Sequence, residues 1–312
     1  MRATPRITVL GSMNMDISVT VPELPGPGAT VLGPSARFAP GGKGGNQATA
    51  AARLGAEVRM AGCVGRDEFG AQLLNALRAE SVHTTAVRQV PDVASGLALI
   101  TVDPSGENMI TVAAGANQSV GEQEIRSAVA HPVDVLIISA EIPVPAIRAA
   151  LAQARASGTT CLLNLAPVPP PARDLIASGV EWLVVNETEA SAVLGHPVAG
   201  LTGAATAAAS LLRVGAAHAV VTAGAAGAAY AGPDGTVAVP GFPVHAVDSV
   251  GAGDTFVGAL ATALGGGAAP EPAVRAACAA AAVATTRPGT QEAMPRPGDV
   301  LALTSTPWPL AT

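Results

Sequence analysis

The feature that most narrows the fold is an alternation of short apolar runs with longer, alanine-rich stretches of helical spacing. Ile7–Leu10 is a β-branched run stopped by Gly11, and it reads as a buried strand. Helices are predicted over Asn46–Leu54, Glu68–Arg78, Glu122–Ala130 and Pro145–Ala156, then from Glu187, and over Thr202–Val214, Gly253–Leu264 and Pro272–Ala284. Strands are predicted at Glu57–Ala61, Val133–Ile138, Thr160–Leu163, Glu181–Val185 and Ala217–Thr222. Repeated β-α alternation implies an α/β fold: a mostly parallel central sheet with helices on both faces.

Two stretches break the pattern. From Asn14 to Phe38 the chain is cut by Pro22, Pro25-Gly26-Pro27-Gly28 and Gly33-Pro34, which is hairpin chemistry rather than helix. A second hairpin is expected from Leu97–Val102 and Met109–Val112, joined by the turn Asp103-Pro104-Ser105-Gly106. Two such insertions suggest a small β-sheet standing apart from the main one. The expected organisation is one domain over 1–312 with β insertions at about 14–40 and 96–113. Pro167–Pro171 reads as a loop inside the domain, and no internal repeat is found.

Composition closes off several function classes. Of 312 residues 49% are hydrophobic and 13% charged, so there is ample apolar surface for a core and no signature of disorder. The mean hydropathy of +0.41 invites a membrane reading. However, the charge-free stretch between Arg213 and Asp234 is cut by glycines and holds His218 and Pro233. The apolar run at the N-terminus is short for a signal peptide. Cys63, Cys161 and Cys278 lack metal-ligand spacing and favour a reducing cytoplasm, and the five histidines show no metal spacing either. A net charge of −6 without a basic stripe argues against nucleic acid.

Several motifs carry chemistry. In Val247-Asp248-Ser249-Val250-Gly251-Ala252-Gly253-Asp254-Thr255-Phe256, glycines bare backbone N–H groups at a helix start. Such groups can hold a transferring phosphoryl while Asp254 accepts a proton from an alcohol. Ordinary N-terminal capping would also use an Asp there. Sixteen of the 17 basic residues are arginine, and the single lysine, Lys43, sits in Gly41-Gly42-Lys43-Gly44-Gly45. The segment is neither a Walker A loop nor a dinucleotide fingerprint. It reads as a tight glycine loop opening a helix at Asn46, with Lys43 and Asn46 donating to hydroxyls; a flexible turn is the plainer alternative. Asn14 and Asp16 alternate onto one face after the first strand, where they suit vicinal hydroxyls or a turn. Glu141, and the pair Asn186 and Glu189, follow strand ends, where open α/β sheets bind ligands. The latter pair suits hydrated Mg²⁺ beside phosphates or a capped helix.

Taken together, Gly11-Ser12-Met13-Asn14-Met15-Asp16, Gly41 to Ala48, Asn186-Glu187-Thr188-Glu189 and Asp248 to Phe256 resemble the ribokinase family of carbohydrate and nucleoside kinases, in order and spacing. The resemblance implies ATP-dependent phosphorylation of ribose at its 5-hydroxyl, with Asp254 as base and an anion hole from Gly251, Ala252 and Gly253. It places the sugar on Asn14, Asp16, Gly42, Lys43, Asn46 and Glu141. The nucleotide would meet Asn186, Thr222, Gly224, Gly227, Gly253 and Cys278, with Glu189 organising Mg²⁺. It further implies a K⁺ ion at Asp248, Val250, Ala284, Arg287, Gly289 and Ala293, mostly through backbone carbonyls. The two hairpins would form a lid that pairs two copies into a homodimer. A sibling kinase for another sugar or a nucleoside, or a non-catalytic sugar-binding protein, are the alternative expectations. Ala225 and Ala226 depart from more polar residues of the family's nucleotide loop.

Overall fold

The computed structural model describes residues 4–308, so the outermost ends of the expected 1–312 unit lie outside the described residues. In chain order the elements are β1 (Arg6–Leu10), β2 (Asn14–Thr20), β3 (Ala36–Gly41), α1 (Lys43–Arg53), β4 (Glu57–Gly65), α2 (Glu68–Ala79), β5 (His83–Val90), β6 (Gly96–Val102) and β7 (Asn108–Ala113). Then come α3 (Glu122–Ala128), β8 (Val135–Ser139), α4 (Val144–Ser157), β9 (Thr160–Asn164), α5 (Ala172–Ala177), β10 (Val180–Asn186), α6 (Glu187–Leu194) and α7 (Gly200–Val214). The chain closes with β11 (Ala216–Thr222), β12 (Gly227–Gly232), β13 (Gly235–Pro240), α8 (Ala252–Gly265), α9 (Pro270–Thr285) and α10 (Pro297–Thr304).

The large sheet has the order β13-β12-β11-β10-β9-β8-β1-β4-β5. It is parallel from β5 to β11, and β12 and β13 add an antiparallel edge. Strand alternation feeds two cores. Leu10, Leu136, Ile138, Leu183 and Val185 face α3, α4 and α7, whereas Ile7, Val9, Val135, Ile137 and Val184 face α1, α8 and α9. Both faces being covered is what makes these strands near-continuous apolar runs.

The small sheet has the order β3-β2-β6-β7. Its two antiparallel pairs match the two expected hairpins, and β2 and β6 join them in parallel, Asn14 opposite Gly96. Sequence reading missed β5, β12 and β13 as well as α5 and α10. It also started α1 three residues late: the helix begins at Lys43, because Gly42 takes a positive φ of 81° as its N-cap and lets the chain turn immediately. Among the described residues no helix is long and apolar enough to cross a membrane.

Candidate active site

The carboxyl ends of β1, β8, β9, β10 and β11 open on one side of the large sheet, and the N-termini of α1 and α8 converge there. Helices α1 and α8 pack tightly because Gly258 has no side chain: a Cβ there would sit 2.7 Å from Ala50 Cβ and 2.8 Å from the Gln47 carbonyl oxygen. This crossing brings the first turn of α1 against the first turn of α8. Asn46 Nδ2 donates to Asp254 Oδ2 at 2.9 Å, and Gln47 Nε2 donates to Asp254 Oδ1 at 2.9 Å. Asp254, in the first turn of α8 behind the positive-φ N-cap Gly251, is 8% exposed. Its carboxylate is thus held at the mouth of a helix whose unpaired N–H groups favour anions.

Around this centre stand most of the residues singled out from sequence. Lys43 is half-buried, and its ammonium is held charged above its ordinary range, first by Asp254 and then by Glu141 and Glu189, against the opposing effect of burial. Burial, with Glu141 and Asp254 nearby, pushes the Asp16 carboxyl up to about 7. Glu189 is also raised, chiefly by burial, while the Asn186 N–H and Lys43 pull it down. Glu141 Oε2 accepts from Ser12 Oγ at 2.5 Å and from the Lys43 N–H at 3.3 Å. Asn14 lies at the start of the small sheet, and its Oδ1 accepts from Asn117 Nδ2 at 2.8 Å. Asp16 lies two residues further along the same strand. One lysine and four carboxylates therefore share a single cleft between the two sheets.

Beyond the α8 N-terminus lies a cavity of about 340 Å³, lined among others by Thr222, Gly224, Gly227, Gly253, Phe256 and Cys278. Five of these were expected at a nucleotide. Gly241, Phe242, Pro243 and Val244, which follow β13, form part of the wall and carried no sequence signal, because the strand before them was itself missed. Asn186 is exposed at the end of β10, and its expected partner Glu189 is bound to it reciprocally. Asn186 Oδ1 accepts from the Glu189 N–H and Glu189 Oε2 from the Asn186 N–H, both at 2.8 Å. The plainer reading of a capped helix is therefore present, while Glu189 also feels the charges of Lys43 and Asp254 in the cleft. Asn46 is likewise engaged with protein rather than wholly free for hydroxyls.

The expected cation residues split into two groups. Asp248 Oδ1 accepts from the Val250 N–H and Oδ2 from the Gly289 N–H, and the Val247 N–H donates to the Thr285 carbonyl, which ties the loop before α8 to the loop after α9. Ala284 lies one residue before the end of that helix, and Ala293 is buried. The Arg287 guanidinium turns away to Asp299 at 2.6 Å, so only its backbone carbonyl is available. A carboxylate plus backbone carbonyls is an oxygen donor set that suits a weakly hydrated monovalent cation. Among the described residues no cluster of three or more His, Cys, Asp or Glu could cage a metal, so Mg²⁺ would keep most of its ligands as water and phosphate.

The description "pfkB family carbohydrate kinase" belongs to a family model that matches residues 4–297. The chain belongs to the pfkB family of carbohydrate kinases. It is 38% identical to Bacillus subtilis ribokinase over 301 residues, covering 96% of this chain and 99% of that one. To Haemophilus influenzae ribokinase it is 37% identical over 291 residues, 93% and 95% of the two chains. Among solved structures, Arabidopsis thaliana ribokinase complexed with ribose and ATP superposes with a TM-score of 0.85 at 29% identity, covering 96% of this chain and 99% of that one. As a member of the pfkB family the chain is a sugar kinase, and the non-catalytic alternative is set aside.

Ser12, Gln47, Asn117, Asn164 and Gln291 were missed by sequence reading. Gln47 had a readable signal, since it follows Asn46 in an otherwise alanine-rich helix where a polar pair needs a reason. Gln291 had none: it reaches Asn46 Oδ1 at 3.0 Å from a loop 245 residues away.

Proposed function

We propose that the chain transfers the γ-phosphoryl of ATP to the 5-hydroxyl of D-ribose. The observation that carries this is the placement of Asp254, buried and doubly held, between the polar cleft and the cavity behind the α8 N-terminus. The sugar lies against Asn14, Asp16, Gly42, Lys43, Asn46 and Glu141, with adenosine in the cavity lined by Thr222, Gly224, Gly227 and Cys278. Asp254 takes the proton of the 5-hydroxyl as its oxygen bonds to the γ-phosphorus and the bond to the ADP oxygen breaks. The N–H groups of Gly251, Ala252 and Gly253, with the positive end of α8, stabilise charge on the passing phosphoryl. Lys43 offsets the like charge of Asp254, Glu141 and Glu189.

Mg²⁺ beside Glu189 and Asn186 would neutralise phosphate charge when bound. K⁺ at the Asp248 loop would supply a fixed positive charge behind the anion hole. Ribose is favoured over a nucleoside because only 2% of the residues are aromatic, which leaves few rings on which a base could stack. The two relatives named above as ribokinases, and the ribose and ATP of the Arabidopsis protein, support the same choice. Exposed apolar residues on the small sheet, Phe38, Leu99, Met109, Ile110 and Val112, support pairing of two copies through that sheet, which would act as a lid.

The test is ADP release with a panel of pentoses, hexoses and nucleosides, with and without K⁺. Ribose is expected to give the highest kcat/KM, with higher turnover in K⁺. A nucleoside or another sugar outperforming ribose tenfold would overturn the substrate.

A further inference from the structure

We propose that Gln47 is a positioning residue for Asp254 and that Asn164 aims it; this rests on the reading of Asp254 as the proton acceptor. One atom in this line cannot change its role. The backbone carbonyl of Val184, in β10, can only accept, and Asn164 Nδ2 donates to it at 3.3 Å. That contact turns Asn164 Oδ1 toward α1, where Gln47 Nε2 donates to it at 2.9 Å. The other hydrogen of the same nitrogen goes to Asp254 Oδ1 at 2.9 Å. A flipped Gln47 would place Oε1 between two acceptor oxygens, so the backbone of the central sheet dictates a donor at the carboxylate.

The burial pattern agrees. Gln47 is fully buried and its Oε1 has no hydrogen-bond partner among the described residues, whereas buried polar atoms are usually paired. Its carbonyl end is left unmatched so that both N–H groups can serve the Asn164–Asp254 line. On the opposite side Gln291 Nε2 donates to Asn46 Oδ1 and so aims Asn46 Nδ2 at Asp254 Oδ2. With one aimed amide on each oxygen, the carboxylate cannot swing, and the acceptor position left on each oxygen for the sugar hydroxyl is fixed in direction. The close contact at Gly258 fixes the α1 backbone at Gln47 relative to α8. A base displaced from its hydrogen-bond geometry loses rate while ground-state binding is hardly touched.

The experiment compares wild type, Gln47→Met, Gln47→Glu, Asn164→Leu, Gln47→Met/Asn164→Leu and Asp254→Asn, with ribose KM, kcat, ADP affinity and melting temperature measured for each. Gln47→Met lacks every donor and keeps the side-chain length, and Gln47→Glu has at most one O–H in place of two N–H groups and cannot serve Asn164 and Asp254 together, so either one that folds suffices. We expect kcat to fall about 10- to 100-fold in both, with ribose KM and ADP affinity within about twofold of wild type. Asn164→Leu falls less, and the double variant is no slower than Gln47→Met, because Asn164 acts through Gln47. Wild-type kcat in the Gln47 variants, or a double variant slowed by the product of the single effects, overturns the proposal. Asp254→Asn separates the two readings: if it is inactive and Gln47→Met is normal, only the positioning role fails; if it turns over normally, the assignment of the base fails.

Discussion

Asp16 offers a prediction in which stability and function pull in opposite directions. Its carboxyl ionises near 3.8 in an ordinary setting and at about 7 here, because burial and the neighbouring Glu141 and Asp254 disfavour the charge. No hydrogen bond or ion pair to that carboxyl is found among the described residues, so the fold does nothing to offset the effect. A carboxyl raised by folding weakens stability wherever the unfolded chain has already ionised it. The penalty is absent below about pH 4, grows as pH rises from the unfolded value toward the folded one, and levels off above about 7. Roughly three decades of proton affinity at about 1.4 kcal/mol each give about 4 kcal/mol at the plateau. Asp16→Asn removes it. At about 2 °C per kcal/mol for a chain of this size, the ligand-free variant should melt up to about 8 °C above wild type at pH 8, with the gap closing toward pH 4. The same variant loses a charged acceptor for the sugar, a loss of about 1.5–3 kcal/mol, or about 10- to 100-fold in ribose KM. Thermal melts of both proteins across pH 4–9 decide the matter. A pH-independent difference, or a variant that melts lower than wild type at pH 8, would refute the electrostatic account of this cleft.

Two further predictions concern the helix N-termini that frame the cleft. Lys43→Arg should raise ribose KM more than ATP KM, since a planar guanidinium cannot take the place of an ammonium at the glycine-lined start of α1; unchanged ribose affinity in isothermal titration would show the lysine to be incidental. Gly253→Ala should fold normally, because a Cβ there meets nothing within 4 Å, yet lose turnover because that methyl occupies the approach to the α8 N–H groups. A wild-type melting temperature with kcat lowered about tenfold or more is the expected pair of results, and unchanged kcat would remove the anion hole from this position.

The fold was legible where the chain's own apolar pattern set the local structure. Ile7–Leu10, Val135–Ser139 and Thr160–Asn164 are buried on both faces, so their apolar runs announce them. Strand β12, Gly-Ala-Ala-Tyr-Ala-Gly, was invisible because glycine and alanine have little strand preference, and its pairing with β11 and β13 decides the conformation. Strand β5 mixes polar and apolar residues because it is the sheet edge. At the site, Asp254, Lys43 and Glu141 were readable from glycines and strand ends. Gln291 and Asn117 were not, since they act through long-range hydrogen bonds, Gln291 to Asn46 and Asn117 to Met13 and Asn14, that no local spacing records.

The central claim is that Asp254 performs the proton transfer. Asp254→Asn keeps the size of the side chain and removes the base. Ribose and ADP affinities, measured by titration, should stay within about threefold of wild type, while ribose-dependent ADP release falls about 10²- to 10⁴-fold. Near-normal turnover in a variant that still binds both ligands would contradict the account.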